Sequence, residues 1–147
     1  MRPTLALLAL APACAYFTPP DTPPRDAASD AAPTFHGCTD DRFADRRAAA
    51  AMRTVTFGVG ATPFSYTPNC IRIAVGQSVA FTGAFSVHPL SPGVHGNPSA
   101  SPPGNPIPVT MSGDRAEVAF PAAGSFPFFC TVHGAAGMSG VVRVEAP

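Results

Sequence analysis

The chain has 147 residues and a formal net charge of zero, and all nine of its basic residues are arginine. This length suits one domain, and the balanced charge argues against a protein that binds nucleic acid through a basic surface. Its nineteen prolines and thirteen glycines disfavour a helical bundle, because both residues destabilise helix interiors. A hydrophobic content of 46% is sufficient for a buried core.

The amino-terminal residues have the pattern of an export signal. Arg2 precedes a short apolar run at 4–10 and the small residues "APA" at 11–13. The run is too short to cross a bilayer as a helix, so we predict a signal peptide over residues 1–13. Cys14 follows the predicted cleavage point, as the lipid-carrying cysteine does in bacterial lipoproteins. We therefore expect lipidation at Cys14, which would be the sole membrane attachment, and a location in the periplasm or cell envelope.

The next segment is rich in proline and alanine. Residues 15–34 contain five prolines and few residues that could build a core, which is typical of a disordered or polyproline II segment. We predict that residues 14–52 form a tether and leading segment, either as a spacer or as a leader without a role. The stretch "DDRFADRRAAAAM" at 40–52 is compatible with one or two helical turns.

Short alternating apolar runs dominate the chain from residue 53 onwards. They are "TVTFGVG", "CIRIAV", "QSVAFTG", "AEVAF" and "GVVRV", separated by turn residues. A period of two indicates antiparallel strands with one buried face. Several such strands predict an all-β sandwich or barrel over residues 53–147.

One segment fits neither a strand nor a helix. Residues 89–108 contain seven prolines and begin directly after His88. A loop of this length is uncommon in a compact domain and is often functional.

The cysteines beyond Cys14 divide into a pair and a single residue. Disulfides persist in exported proteins, so we predict a bond between Cys38 and Cys70 that ties the leading segment to the "CIRIAV" strand. Cys130 is then unpaired. A free thiol in an oxidising compartment is a liability unless a ligand occupies it.

The stretch "FFCTVHGAAGMSG" at 128–140 supplies a thiol, an imidazole and a thioether from Cys130, His133 and Met138. These soft donors favour copper, and two histidines, one cysteine and a distant methionine make the blue-copper arrangement. One thiolate with a methionine does not form a usual structural zinc site. The alternative interpretation is a buried structural thiol beside a loop histidine and a core methionine.

A second histidine must come from elsewhere in the chain. His88 is the best candidate, because it ends the run "SVAFTGAFSVH" and the end of a strand can place it beside the loop. His95 is the rival candidate, within the proline-rich segment. His36 precedes the domain, and we expect it to be exposed.

Two segments resemble the cupredoxin family, in particular its plastocyanin-like branch. "GSFPFFCTVHGAAGMSGVVRV" resembles the carboxy-terminal hairpin with its Cys-x2-His-x4-Met pattern, and "GQSVAFTGAFSVH" resembles the strand that leads to the first histidine. The resemblance covers residues 53–147 and implies a Greek-key β-sandwich. It also implies one copper ion, with His88, Cys130 and His133 as equatorial ligands and Met138 as the axial ligand.

The resemblance implies a monomeric, non-enzymatic carrier of single electrons, because the protein ligands leave no open position for a substrate. A copper-binding protein for storage, delivery or resistance is the alternative. Redox partners are expected to dock near His133, on an apolar rim of small residues with Pro89 and Leu90 close by. Because Pro89 has no N–H group, we also predict that the Val132 N–H donates a hydrogen bond to the Cys130 sulfur.

Overall fold

A computed structural model describes residues 34–97 and 100–146. The predicted signal peptide, Cys14 and most of the predicted tether lie outside the described residues. Within the described ranges, no helix is both long enough and apolar enough to cross a membrane.

In the part of the chain that the structure describes, nine strands form two sheets that pack as a sandwich. The first sheet has the spatial order β1 (Ala44–Asp45), β4 (Cys70–Ala74), β9 (Ser139–Glu145), β8 (Gly124–Cys130) and β6 (Leu90–Pro92). The second sheet has the order β3 (Tyr66–Thr67), β2 (Thr54–Phe57), β5 (Ser78–Thr82) and β7 (Arg115–Ala119). The predicted all-β, Greek-key sandwich is therefore confirmed.

The strand directions differ from the purely antiparallel arrangement that we predicted. β1 pairs in parallel with β4, β4 with β9, and β2 with β5, whereas the remaining pairs are antiparallel. The prediction was wrong here because a period of two reports which face of a strand is buried. It does not report the direction of the neighbouring strand.

The main core lies between the two sheets. Alternate residues of the longer strands point inward, as the alternation predicted. The inward-facing residues include Val55 and Phe57 of β2, Ile71 and Ile73 of β4, Val79 and Phe81 of β5, Phe126 and Phe128 of β8, and Val142 and Val144 of β9.

A second, smaller cluster covers the outer face of the first sheet. Cys38 and Phe43 of the leading segment pack there against Cys70 and Val141, with Phe35 alongside. The predicted disulfide between Cys38 and Cys70 is present. The first sheet is therefore buried on both faces at this point.

The remaining elements of the leading segment and the proline-rich segment are short. Within the stretch 40–52, Asp40–Arg42 forms a helical turn of the 3-10 type, and the chain then enters β1 rather than continuing as a helix. The proline-rich segment begins with β6, although we predicted neither strand nor helix there. β6 lies at the edge of its sheet, where proline is tolerated because no further strand needs its missing donor.

Candidate metal centre

A turn beyond the end of β5 positions His88. The N–H groups of Val87 and His88 both donate to the Ala84 carbonyl, at 3.1 and 3.0 Å. The His88 side chain is buried, with 5% of the residue exposed. Gly58 lies against its ring, because a methyl group added at Gly58 would be 3.1 Å from His88 Cδ2. The second sheet thus fixes this imidazole from two sides.

The hairpin between β8 and β9 carries the other three predicted ligands. Cys130 is the last residue of β8, and its N–H donates to the Met138 carbonyl at 2.9 Å. The Met138 N–H donates to the His133 carbonyl at 3.1 Å, which closes the loop between them. Gly137 allows this closure by adopting a left-handed conformation with φ 91°.

Three donor atoms converge at this end of the sandwich. His88 Nδ1 lies 3.1 Å from His133 Nδ1, and His133 Nδ1 lies 3.6 Å from Cys130 Sγ. One donor atom from each of the three residues lies within 4.8 Å of the others. Cys130 is fully buried and is the free cysteine among the described residues.

Met138 is also buried and belongs to the same core cluster as Cys130. Its backbone is bonded directly to that of Cys130 across the hairpin. The assignment of Met138 as the axial ligand stays a prediction, as do the assignments of the other three ligands.

The two remaining histidines lie outside the converging group. His95 packs edge-on against Phe129, with ring centroids 5.5 Å apart. His36 is half-buried rather than exposed as we expected, and its Nε2 lies 3.5 Å from the Gly93 carbonyl oxygen. It is held there because the leading segment crosses the outer face of the first sheet.

The donor set fits a copper ion chemically. Burial and the neighbouring His133 lower the pKa of His88, which favours the neutral imidazole that binds metals. Two imidazole nitrogens with one thiol sulfur form a set that copper prefers. The two Nδ1 atoms face each other at hydrogen-bond distance, so a cation between them would satisfy both lone pairs.

Aromatic side chains surround the converging donors. Phe57 packs against the His88 ring at 6.1 Å between centroids, and it also contacts Phe85 and Tyr66. Burial, together with the nearby Cys130, raises the pKa of Tyr66. An apolar shell of this kind excludes water from a metal site.

Phe64 is a site residue that the sequence analysis missed. Its ring stacks on His133, with centroids 4.5 Å apart and an interplanar angle of 29°, and it is 52% exposed. It lies in the turn between β2 and β3, which carries no recognisable motif. Its role therefore becomes visible only when the two sheets are assembled.

One prediction about the surroundings of the site was wrong, and a second was right only in part. Among the hydrogen bonds of the described residues there is none from the Val132 N–H to the Cys130 sulfur, whose polar neighbour is the His133 ring. The chain turns directly after Cys130, and the Val132 side chain is 62% exposed. Pro89 and Leu90 lie close to the ligand loop, as we expected, since Leu90 pairs with Cys130 and the Thr131 N–H donates to the Pro89 carbonyl. Both residues are buried, however, so they are not part of an exposed rim.

Comparison with known proteins gives a family match for most of the domain. Residues 53–145 match the family described as copper-binding proteins of the plastocyanin/azurin family. None of the curated proteins matches the chain.

Several solved structures are similar to the chain. Plastocyanin from Dryopteris crassirhizoma is 21% identical, with 63% of this chain and 99% of that chain covered and a TM-score of 0.45. Pseudoazurin from Methylobacterium extorquens AM1 is 25% identical, with 63% and 73% covered and a TM-score of 0.48. The copper-containing nitrite reductase from Thermus scotoductus SA-01 is 22% identical, with 73% and 29% covered and a TM-score of 0.48.

Proposed function

Because the chain belongs to the plastocyanin/azurin family of copper-binding proteins, we propose that it is a type 1, blue copper protein that carries single electrons between redox partners. The observation that carries this proposal is the convergence of His88 Nδ1, His133 Nδ1 and Cys130 Sγ at one end of the sandwich. In this proposal Met138 is the axial ligand. When bound, one copper ion supplies the one-electron couple between Cu(I) and Cu(II).

The chain's own contribution is to keep the ligands in one arrangement. His88 is held by its turn and by Gly58, and the hairpin bonds between Cys130 and Met138 fix the opposite side. Ligands that are held in this way do not need to rearrange when the charge of the site changes. This favours rapid electron transfer, and it leaves no open position for a substrate, so we propose a carrier rather than an enzyme.

Electrons are proposed to enter and leave near His133. Its half-buried ring lies under Phe64, and the exposed side chains of Val132 and Val87 adjoin the two histidines in sequence. We call Phe64, Val87 and Val132 the docking face. Partners that dock there would come close to the metal ligands without displacing them.

Copper reconstitution followed by visible spectroscopy tests the proposal. We expect one intense absorption band in the red that bleaches on reduction. Cys130→Ser and His88→Ala should each abolish the band, because each removes a donor atom from the converging group. Thr131→Ala, an exposed change in the same hairpin, is the matched control and should keep it.

The alternative, copper storage or delivery, predicts a different result. A colourless protein that binds Cu(I) reversibly would replace the carrier proposal with this alternative. The full burial of Cys130 argues against it, because a protein that hands copper to a partner needs accessible ligands.

We also propose that the chain is exported and anchored by a lipid at Cys14. This rests on the amino-terminal pattern, from Arg2 to "APAC". Expression of the full chain in a bacterium, followed by cell fractionation, should place the protein with the membranes. Cys14→Ser should release it, and a wild-type protein found in the cytosol would contradict export.

A further inference from the structure

The first part of the proline-rich segment is bound along the hairpin that carries the predicted copper ligands. We call residues 89–97 the strap. Its strand β6 pairs with β8, so that Leu90 lies opposite Cys130. The Gly93 N–H donates to the Pro127 carbonyl at 2.8 Å, and the Thr131 N–H donates to the Pro89 carbonyl at 3.0 Å. The strap is therefore bonded to β8 at Gly93 and to the start of the ligand loop at Pro89, the residue after His88.

The later part of the proline-rich segment is also bonded to β8. Asn105 Nδ2 donates to the same Pro127 carbonyl at 2.9 Å, and the Ile107 N–H donates to Asn105 Oδ1 at 3.2 Å. Ile107 is buried in the main core. Both ends of the segment thus have a fixed position relative to β8.

From this strap His95 reaches the loop between His133 and Met138. A methyl group added at Gly134 would lie 2.5 Å from His95 Cδ2 and 2.7 Å from His95 Cγ. The imidazole therefore lies directly on the backbone of Gly134. Its other contact is the edge-on packing against Phe129 of β8.

Position 134 requires a glycine because of this contact, and not because of its backbone conformation. Gly137, in the same loop, has a positive φ of 91°, whereas Gly134 is not among the glycines with positive φ. An alanine at Gly134 would be acceptable to the backbone by itself. The His95 ring is what occupies the space of the missing side chain.

Few contacts hold the 3-10 turn within this loop. The turn, Gly134–Ala136, contains no buried residue and has no side-chain capping bond. Backbone bonds from the N–H groups of Ala136, Gly137 and Met138 close it, and the Ser139 hydroxyl donates to the Gly137 carbonyl at 3.3 Å. Phe64 stacks on His133, which precedes the turn. A short turn of small residues with so few anchors opens easily, so the contact with His95 has a large effect on its position.

We propose that His95 is a positioning residue for the copper site. Its ring projects from the strap, packs against Gly134 and holds the loop that joins His133 to Met138. The part of this inference that concerns copper rests on the proposed function, whereas the part that concerns the loop does not. The imidazole acts through its shape, so His95 does not ligate the metal.

Hydrogen exchange in the metal-free protein tests the contact without copper. In His95→Ala we expect the amides of Gly137 and Met138 to exchange roughly 10-fold faster, because the loop opens more often. The amides of β5 and β7 should be unchanged. His95→Phe, which keeps a flat ring without nitrogen atoms, should restore slow exchange in the loop.

His36→Ala is the matched control for the loss of an imidazole. His36 contacts the strap at Gly93 but not the ligand loop, so its removal should leave the Gly137 and Met138 amides unchanged. Equal acceleration in His36→Ala and His95→Ala would overturn the proposal, and so would unchanged exchange in His95→Ala.

A double-mutant cycle with Gly134→Ala tests whether the two residues act on each other. Alone, Gly134→Ala should speed exchange in the loop, because the new methyl group meets the His95 ring. In the His95→Ala background the same substitution should have a smaller effect, since the two nearest ring atoms are removed and His95 Cβ, at 2.9 Å from the new methyl group, remains. Additive effects of the two substitutions would contradict the proposed contact.

Copper binding is measured last, on the same variants. His95→Ala should release copper to a chelator roughly 10-fold faster, within the range known for outer contacts of metal ligands, while His95→Phe should behave like the wild type. If the loop amides respond as expected and no variant binds copper, the proposed function fails and the positioning of the loop stands. If copper is bound and its release is the same in all variants, the positioning of the copper site is refuted.

Discussion

At the scale of single residues, the position of His88 depends on the glycine beside it. Gly58 has a φ of 72°, and a methyl group there would lie 3.1 and 3.2 Å from His88 Cδ2 and Nε2. Gly58→Ala is therefore unfavourable for two reasons. The left-handed backbone becomes strained by about 1–2 kcal/mol, and the new methyl group presses on the imidazole.

Gly60 allows these two effects to be separated. It has a similar φ of 68°, but nothing lies within 4 Å of a methyl group added there. We predict that both Gly58→Ala and Gly60→Ala lower the free energy of unfolding of the metal-free protein, and that backbone strain contributes about 1–2 kcal/mol in each case. Only Gly58→Ala should shift the visible and electron paramagnetic resonance spectra after copper loading. Identical spectra for the two variants would show that Gly58 does not constrain His88.

The convergence of His88, Cys130 and His133 could be predicted from the sequence, whereas the role of Met138 stays a prediction. Cys130, His133 and Met138 fall within nine residues, and His88 lies in the turn after β5, a strand with clear alternation. The contacts around the donors could not be predicted. Phe64 contacts His133 from the turn between two strands of the other sheet. No sequence pattern predicts a contact between residues so far apart in the chain.

At the scale of elements, the leading segment is an extra layer on the first sheet. Arg143 lies over the Phe43 ring at 4.2 Å, and Asp40 forms ion pairs with both Arg143 and Arg72. β1 adds a parallel edge beside β4. The disulfide between Cys38 and Cys70, which are 32 residues apart, closes this layer onto the sheet.

Removal of the disulfide should destabilise the fold while leaving the copper site intact. For a loop of this length, the chain-entropy account gives about 3–4 kcal/mol, so we predict that the double variant Cys38→Ala, Cys70→Ala loses about that much in urea unfolding. The blue absorption should persist, because Cys38 and Cys70 belong to the outer cluster and Cys130 to the main core. Wild-type stability that does not change under a reductant would contradict the prediction.

The same elements show where sequence reasoning succeeded and where it failed. The alternation in β2 and β4 identified their buried faces, because burial on one face leaves a period of two. The strand β1 was missed, because Ala44–Asp45 is two residues long and too short to show any period. β6 was missed because proline content suggested a loop, although an edge position accepts proline.

At the scale of the whole molecule, charge is sparse in the part of the chain that carries the proposed copper site. Between Thr54 and Gly140 the charged residues are Arg72, Asp114, Arg115 and Glu117. Arg115 pairs with Glu117, and Arg72 pairs with Asp40 and Glu145. Asp114 is exposed and forms no ion pair among the described residues, but the four charges sum to zero. We therefore expect no strong field of either sign at the proposed docking face of Phe64, Val87 and Val132.

Electron transfer through this face should depend only weakly on ionic strength, because an uncharged docking surface gives little long-range steering. We predict that the rates of reaction with a small anionic and a small cationic metal complex each change less than roughly two-fold when the Debye length is shortened from about 30 to about 10 Å. Stopped-flow measurement of the blue absorption gives these rates. Val132→Glu places one charge on the docking face, and its rate with the cationic complex should then fall with added salt while its rate with the anionic complex rises. A steep salt dependence in the wild type, in opposite directions for the two complexes, would mean that electrons pass through a charged part of the surface instead.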